Sequence, residues 1–430
     1  MAAAYLRKWR LLQRDVRLFL IAQTLLGITG VGINWVALNL YLLRLDYGPQ
    51  FIGLVHAASM TCFAILSLPA GALGARWGSR RALILGLVFT CTGWALTSQA
   101  ELVPISWRPG WILATYVLAS VGMVLYFVNF APFLMGRTGL AERDHAFSAA
   151  VALEPLGGFV GSLLGGFLPG LFAGLLGATP SAPGPFRFTL LTSALLLVPA
   201  ILLLLATSAG PPAPVEEQPT APRPAKGGPA PVAVIVAAAL CLALWLAGRS
   251  SVDTFFNVYL DTTLAMPTGQ IGALQAAGQL VAVPAVLVMP LLVARWGQSR
   301  TIILGGLGAA LGISLLALIP HWSAAGLGLM IMTAFFSITN ATVIVYGQEI
   351  VAAGWRETMS GAMNAAGGVG LAAMALIGGY AILSVGYRGV FLMGTGCMAA
   401  GSLVFWIYFR LRHAELGRPR RPLVPEESHL

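Results

Sequence analysis

The sequence predicts an all-α integral membrane protein, with twelve transmembrane helices forming two pseudo-symmetric six-helix bundles. Three observations carry that prediction. Of 430 residues, 58% are hydrophobic and only 9% are charged, whereas a soluble domain carries roughly a quarter charged residues. The apolar residues come in runs long enough to cross a bilayer, which takes about 20 residues. A short basic turn appears twice, 219 residues apart, so the chain repeats itself.

The apolar runs fall at 17–44, 51–75, 81–99, 111–135, 145–176, 186–208, 231–261, 268–294, 299–320, 323–350, 357–384 and 387–411. The longest must tilt, kink or protrude, because they exceed the hydrocarbon thickness. A membrane β-barrel would show segments of about ten residues with alternating polarity. Those are absent.

Orientation follows from arginine and lysine. With the N-terminus in the cytoplasm, the loops on that side hold 20 of the 25 basic residues. The outer loops hold Arg44, Arg108, Arg187 and Arg388, and Arg249 alone falls within a span. The positive-inside rule then places both chain ends in the cytoplasm and the protein in the inner (plasma) membrane. The same count explains the net charge of +10, since basic loops facing anionic headgroups need no nucleic-acid partner. The N-terminal "YLRKWRLLQRDVR" reads as an interfacial segment, with no signal-peptide cleavage pattern after it.

A shift of 219 residues lays Ala75-Arg76-Trp77-Gly78 on Ala294-Arg295-Trp296-Gly297, and Arg81 on Arg300. Upstream, Ile52-Gly53 falls on Ile271-Gly272 and His56 on Gln275. One residue less lays Asn39-Leu40-Tyr41-Leu42 on Asn257-Val258-Tyr259-Leu260. Six spans separate the two turns, so both lie on one side and the halves are parallel repeats about an axis along the membrane normal. Between them "ATSAGPPAPVEEQPTAPRPAKGGPAP" is too polar and proline-rich to build a core, and reads as a linker. The expected organisation is a juxtamembrane segment 1–16, a bundle 17–208, a cytoplasmic linker 209–230, a second bundle 231–411 and a tail 412–430.

Twelve spans in two parallel halves, a central linker, and a turn of Gly-x-x-x-Asp-Arg-x-Gly-Arg-Arg type beginning at Gly71 resemble the major facilitator superfamily of secondary transporters. In physical terms Arg76 can meet the carbonyl end of the second span and Gly78 supplies the reversal, while Arg80 and Arg81 hold the loop at the cytoplasm. Topology anchors and a tight turn would account for these arginines. The resemblance implies a further role, a clasp to the other half when the cytoplasmic gate is shut. Where the family pattern has an acid, this chain has Ala75 and Ala294. An ionic lock would therefore need Asp144, Glu349 or Glu357 to meet the arginines. The resemblance also implies that the first, fourth, seventh and tenth spans line the cavity.

Charges inside a bilayer are costly and mark candidate sites. Glu154 lies about 13 Å beyond His145 along the fifth span, near mid-membrane. It is followed by Pro155 and a glycine-rich face. A carboxylate without a cation in a low-dielectric site can take up and release a proton near neutral pH, as coupling requires. The alternative is a neutral acid hydrogen-bonded across helices. Arg249 and Asp253 stand one turn apart on the seventh span. They form either a self-neutralised pair or a solute site in which Arg249 holds an anion and Asp253 changes partners. His56 is titratable, or simply a packing residue. Asn34, Asn39, Asn257, Gln275 and Gln279 add hydrogen-bonding groups, with Asn129, Tyr126, Asn340 and Tyr346 as weaker candidates.

The four cysteines, Cys62, Cys91, Cys241 and Cys397, fall within spans without paired spacing, so no disulfide framework or metal cluster is expected. No phosphate-binding Gly-x-x-x-x-Gly-Lys-Ser/Thr loop is present, which argues against a primary pump. The sequence thus predicts a non-enzymatic secondary transporter without cofactor or metal, working as a monomer with protons and a small molecule. Proton-coupled export of a small organic or amphipathic solute is the first expectation. A symporter or facilitator for a small anionic metabolite and a lipid or lysolipid flippase are the alternatives.

Overall fold

The computed structural model describes residues 12–208 and 231–410. The expectations for the N-terminal segment before residue 12, the 209–230 linker and the tail lie outside the described residues. Among the described residues, eleven helices are long and apolar enough to cross a membrane. In chain order they are α1 (Arg14–Arg44), α2 (Pro49–Trp77), α3 (Ser79–Ser98), α4 (Arg108–Met135), α5 (Leu140–Leu176), α6 (Pro183–Leu205), α7 (Val232–Thr262), α8 (Thr268–Trp296), α9 (Gln298–Leu318), α10 (Trp322–Glu349) and α11 (Arg356–Phe405). Such apolar runs form helices because lipid offers no partner for a free backbone N–H or C=O, and a helix satisfies them internally.

α11 runs for 50 residues but is interrupted at Gly386, where φ is 69° and ψ 179°. A straight helix of that length would span about 75 Å, far beyond a hydrocarbon core of about 30 Å. Instead, Gly367 packs on Leu242 and Leu246 of α7, while Gly401 packs on Cys241 and Trp245. The two legs of α11 flank the same turns of α7.

The repeated basic turns have one geometry. Gly78 (φ 89°, ψ 138°) and Gly297 (φ 78°, ψ 160°) are single residues between consecutive helices, α2 to α3 and α8 to α9. A side chain is strained there, so glycine is what permits a one-residue reversal. These turns mark one face of the molecule, here the turn face. Arg44, Ser98, Asp261 and Gly386 lie at the opposite face, as the contacts Tyr41 to Ser98, Arg44 to Asp261 and Thr262 to Tyr387 require.

α1 is not uniform. Its middle, Gly27–Asn34, is π-helical, with ordinary α-helix on either side. Here α1 and α5 approach backbone to backbone. A Cβ on Gly27 would collide with the Glu154 carbonyl, one on Gly32 with Gly161, and one on Gly157 with the Thr24 carbonyl. Small residues on both helices permit that approach, which maximises dispersion contact where lipid supplies no hydrophobic drive.

The two halves of the chain meet along α1–α7, α2–α11 and α5–α8. Gly53 and Gly379 are pressed on the facing backbone of α11 and α2, and Gly166 on that of α8. Each of these contacts lies on the side of the opposite face.

Candidate functional site

A cavity of about 350 Å³ opens between the halves. Its wall draws on the π-helical part of α1 (Gly30, Val31, Asn34), on α2 (Ser59, Met60, Phe63), on α4 (Tyr116, Met123, Phe127) and on Glu154 of α5. From the second half come Arg249 and Asp253 of α7, Gln275 and Gln279 of α8, and Thr333 and Ser337 of α10. Trp35 of α1 and Trp94 of α3 also line it. Six of the sequence candidates, Glu154, Arg249, Asp253, Asn34, Gln275 and Gln279, therefore share one space although they come from four helices.

Arg249 and Asp253 are paired, with Nε donating to Oδ2 at 2.7 Å. The guanidinium also lies over the Phe336 ring, 4.7 Å from its centroid. The pairing follows from i,i+4 spacing on a helix. Glu154 has no such neighbour. Its Oε2 accepts from Gln23 Nε2 at 3.2 Å, and Gln23 Oε1 accepts from the Tyr126 hydroxyl at 2.7 Å. A Tyr126–Gln23–Glu154 chain thus runs from α4 through α1 to α5. Gln23 was not a sequence candidate, because a lone glutamine in an apolar run carries no signal until α5 is laid against it.

Outward of the cavity lies a belt of amides. Asn39 Nδ2 donates to the Thr254 carbonyl at 2.9 Å, and Asn257 Nδ2 donates to the Trp35 carbonyl at 3.0 Å. Each asparagine is held from behind on its own half: His56 Nε2 lies 2.8 Å from Asn39 Oδ1, and Gln275 Nε2 donates to Asn257 Oδ1 at 2.8 Å. The His56 ring also meets Trp35 and Tyr116 edge-on, with centroids 6.3 and 6.2 Å away. His56, Asn39 and Asn257 are thus joined in a tie between halves. Beyond the belt, Arg44 grips Asp261 through both Nη atoms, at 2.8 and 2.5 Å.

Other candidates are placed elsewhere. Asn129 donates to the carbonyls of Ala70 and Leu125 and bridges α4 to α2. Tyr126 is linked to the cavity wall through Gln23 and Glu154. Tyr346 packs on Phe405 and Phe409 within the second half, and Asn340 is half-buried on α10 outside the cavity wall.

At the turn face, Arg76, Arg81, Arg295 and Arg300 are exposed. Arg80 donates to Thr207 Oγ1 at 3.0 Å and to the Leu205 carbonyl at 2.8 Å. It caps the carbonyl end of α6, within its own half. Gly71 faces Val128 of α4. Glu349 accepts from Gln298, beside the second turn. The side chains of Asp144 and Glu357 lie outside the described residues.

Helices alone among the described residues, with a cavity where two repeated halves meet, are the arrangement of a membrane transporter. The family model of the Major Facilitator Superfamily matches residues 20–375, so the chain belongs to that superfamily. Among curated proteins none matches it. Among solved structures, a mutant of the nucleoside transporter NupG superposes with a TM-score of 0.73 at 13% identity, covering 92% of this chain and 100% of that one. The inward-open xylose transporter XylE from E. coli gives 0.73 at 14% identity, over 92% and 96%. A bacterial homologue of the lysosomal transporter Spinster, in its inward-facing form, gives 0.68 at 15% identity, over 91% and 94%. At these identities the likeness is one of fold. The chain is a non-enzymatic transporter of the multi-pass membrane class.

Proposed function

We propose that this protein is a proton-coupled exporter that moves a small organic or amphipathic solute by alternating access. The observation that carries the proposal is the cavity between the repeated halves, closed toward the opposite face by the amide belt and by the Arg44–Asp261 pair. A carrier needs a site that two halves can expose to either side in turn, and a seal on one side that rocking can break. On this reading residues 17–208 and 231–411 rock as two six-helix bundles, and α11 folds back at Gly386 to give twelve crossings. The turn face is cytoplasmic, as the 20 to 4 split of loop arginine and lysine favours. The protein works as a monomer in the inner membrane. The present arrangement is the one in which the solute enters from the cytoplasm.

Glu154 carries the coupling proton, with Asp253 and His56 next in line. Export is favoured over symport of an anionic metabolite because Arg249 is already neutralised by Asp253. A lipid flippase would need a lateral opening between α5 and α8, where Gly166 instead packs on Gly272. The test is uptake by inverted membrane vesicles: solute should accumulate when a proton gradient is imposed, and should be released on its collapse. Uptake that only equilibrates, whatever the gradient, would leave a facilitator.

A further inference from the structure

Charge and hydrogen bonding in the cavity wall identify the class of solute that fits it. This step rests on the reading of the cavity as the solute site. We propose that the cavity takes a lipophilic monovalent organic cation, held by Glu154 and by the faces of the surrounding aromatic rings.

The cavity wall holds three ionisable groups that matter for charge. Arg249 and Asp253 cancel at 2.7 Å, and the guanidinium is further engaged by Phe336. Among the described residues no arginine, lysine or histidine pairs with Glu154; its partner is the neutral amide of Gln23. That amide is fixed by the Tyr126 hydroxyl, so its N–H points at the carboxylate and leaves Glu154 available on the cavity side. The net charge offered to a solute is therefore negative.

The rest of the wall favours a cation with an apolar body. Trp35, Trp94, Tyr116, Phe63 and Phe127 line it from four helices, and aromatic faces attract cations most strongly where water is excluded. A volume of about 350 Å³ suits a compact drug-sized body. A hydroxyl-rich solute would need many free donors and acceptors. Several here are already spent: Gln275 on Asn257, and Ser59 and Ser120 on each other at 2.8 Å. An anion fares worse, because it must either pull Arg249 from Asp253 and strand a buried carboxylate, or sit facing Glu154.

Tetraphenylphosphonium and tetraphenylborate are close in shape and opposite in sign, and so isolate charge. Their saturable binding to the full chain in nanodiscs is measured by equilibrium dialysis, after subtraction of binding to empty nanodiscs. The phosphonium should bind at least about tenfold more tightly, which corresponds to about 1.4 kcal/mol. Glu154→Gln should abolish that preference. Asp253→Asn frees Arg249, adds a positive charge and should weaken the cation while strengthening the anion, so the two substitutions test the idea independently of one another's folding. Equal affinity for both ions, preference for the borate, or a preference that survives both substitutions overturns the proposal. The underlying reading is tested separately by labelling a cysteine at Val31 from each face. A cavity reachable from one face only under every condition removes the carrier itself.

Discussion

Asn39 and Asn257 each donate a side-chain amide to the backbone of the other's helix, Asn39 to Thr254 and Asn257 to Trp35, at 2.9 and 3.0 Å. The two bonds are images of each other under the internal repeat, as are their supports His56 and Gln275. A pair of reciprocal bonds about one axis resists rocking in either sense. Neither asparagine lines the cavity, and on the proposed reading their work is to set the balance between open and closed states.

Breaking both should shift that balance. Polar contacts between membrane helices are worth about 0.6–2 kcal/mol each, so Asn39→Ala with Asn257→Ala should favour the state open at the opposite face by roughly tenfold or more. A membrane-impermeant maleimide added at that face should then label a cysteine at Met60 faster in the double variant. An unchanged labelling rate would mean that the belt is packing and not a gate.

Arg44 and Asp261 give a second handle on the same seal. A bidentate guanidinium–carboxylate pair is among the stronger polar contacts, and its geometry is not reproduced by lysine. Arg44→Ala should raise the labelling described above, Asp261→Ala should do the same, and the exchange Arg44→Asp with Asp261→Arg should restore slow labelling. Failure of the exchange while both single changes act alike would assign the effect to packing of Arg44 on Phe186, where the guanidinium lies 5.4 Å from the ring centroid.

The turns make a prediction about stability alone. Gly78 and Gly297 occupy backbone conformations that cost other residues about 1–3 kcal/mol. Gly78→Ala and Gly297→Ala should each lower the melting midpoint in detergent, and together their effects should add, because the sites are far apart. Gly110→Ala, at an ordinary helical position with open space around it, should leave the midpoint unchanged. A neutral Gly78→Ala would mean that the loop relaxes into another turn.

Much of this architecture was legible beforehand. The apolar helices and the repeated turns follow from apolar length and glycine placement, which are local properties, and the gap expected between runs 357–384 and 387–411 coincides with the interruption at Gly386. The i,i+4 pairing of Arg249 with Asp253 was equally local. What escaped were properties of two helices at once. The π-helical stretch of α1 coincides with contact against α5 glycines, and nothing within Gly27–Asn34 predicts it. Gln23 gains meaning only beside Glu154. Arg44 and Asp261 were read as a loop residue and a span end, although the Asn39 and Asn257 match already put both at one depth.

The proton is the last and sharpest matter. Glu154 stands on the cavity wall where α5 closely approaches α1, and it is tied to the amide of Gln23, which is itself tied to Tyr126. A group that exchanges a proton for a solute must be free to lose its contact with either, and one neutral hydrogen bond is easier to break than an ion pair. In proteoliposomes, Glu154→Gln should therefore abolish accumulation driven by an imposed pH gradient, while counterflow persists only at raised solute concentration, because the aromatic wall remains and the carboxylate does not. Gln23→Leu and Tyr126→Phe should leave accumulation intact but move its pH profile, since they alter what holds the carboxylate and not the carboxylate itself. Were these two variants merely misfolded, maximal rate would fall with no change in profile. If the Glu154→Gln protein still concentrates solute against a gradient, the coupling role passes to Asp253 or His56, whose Asn and Gln variants are then read in the same assay.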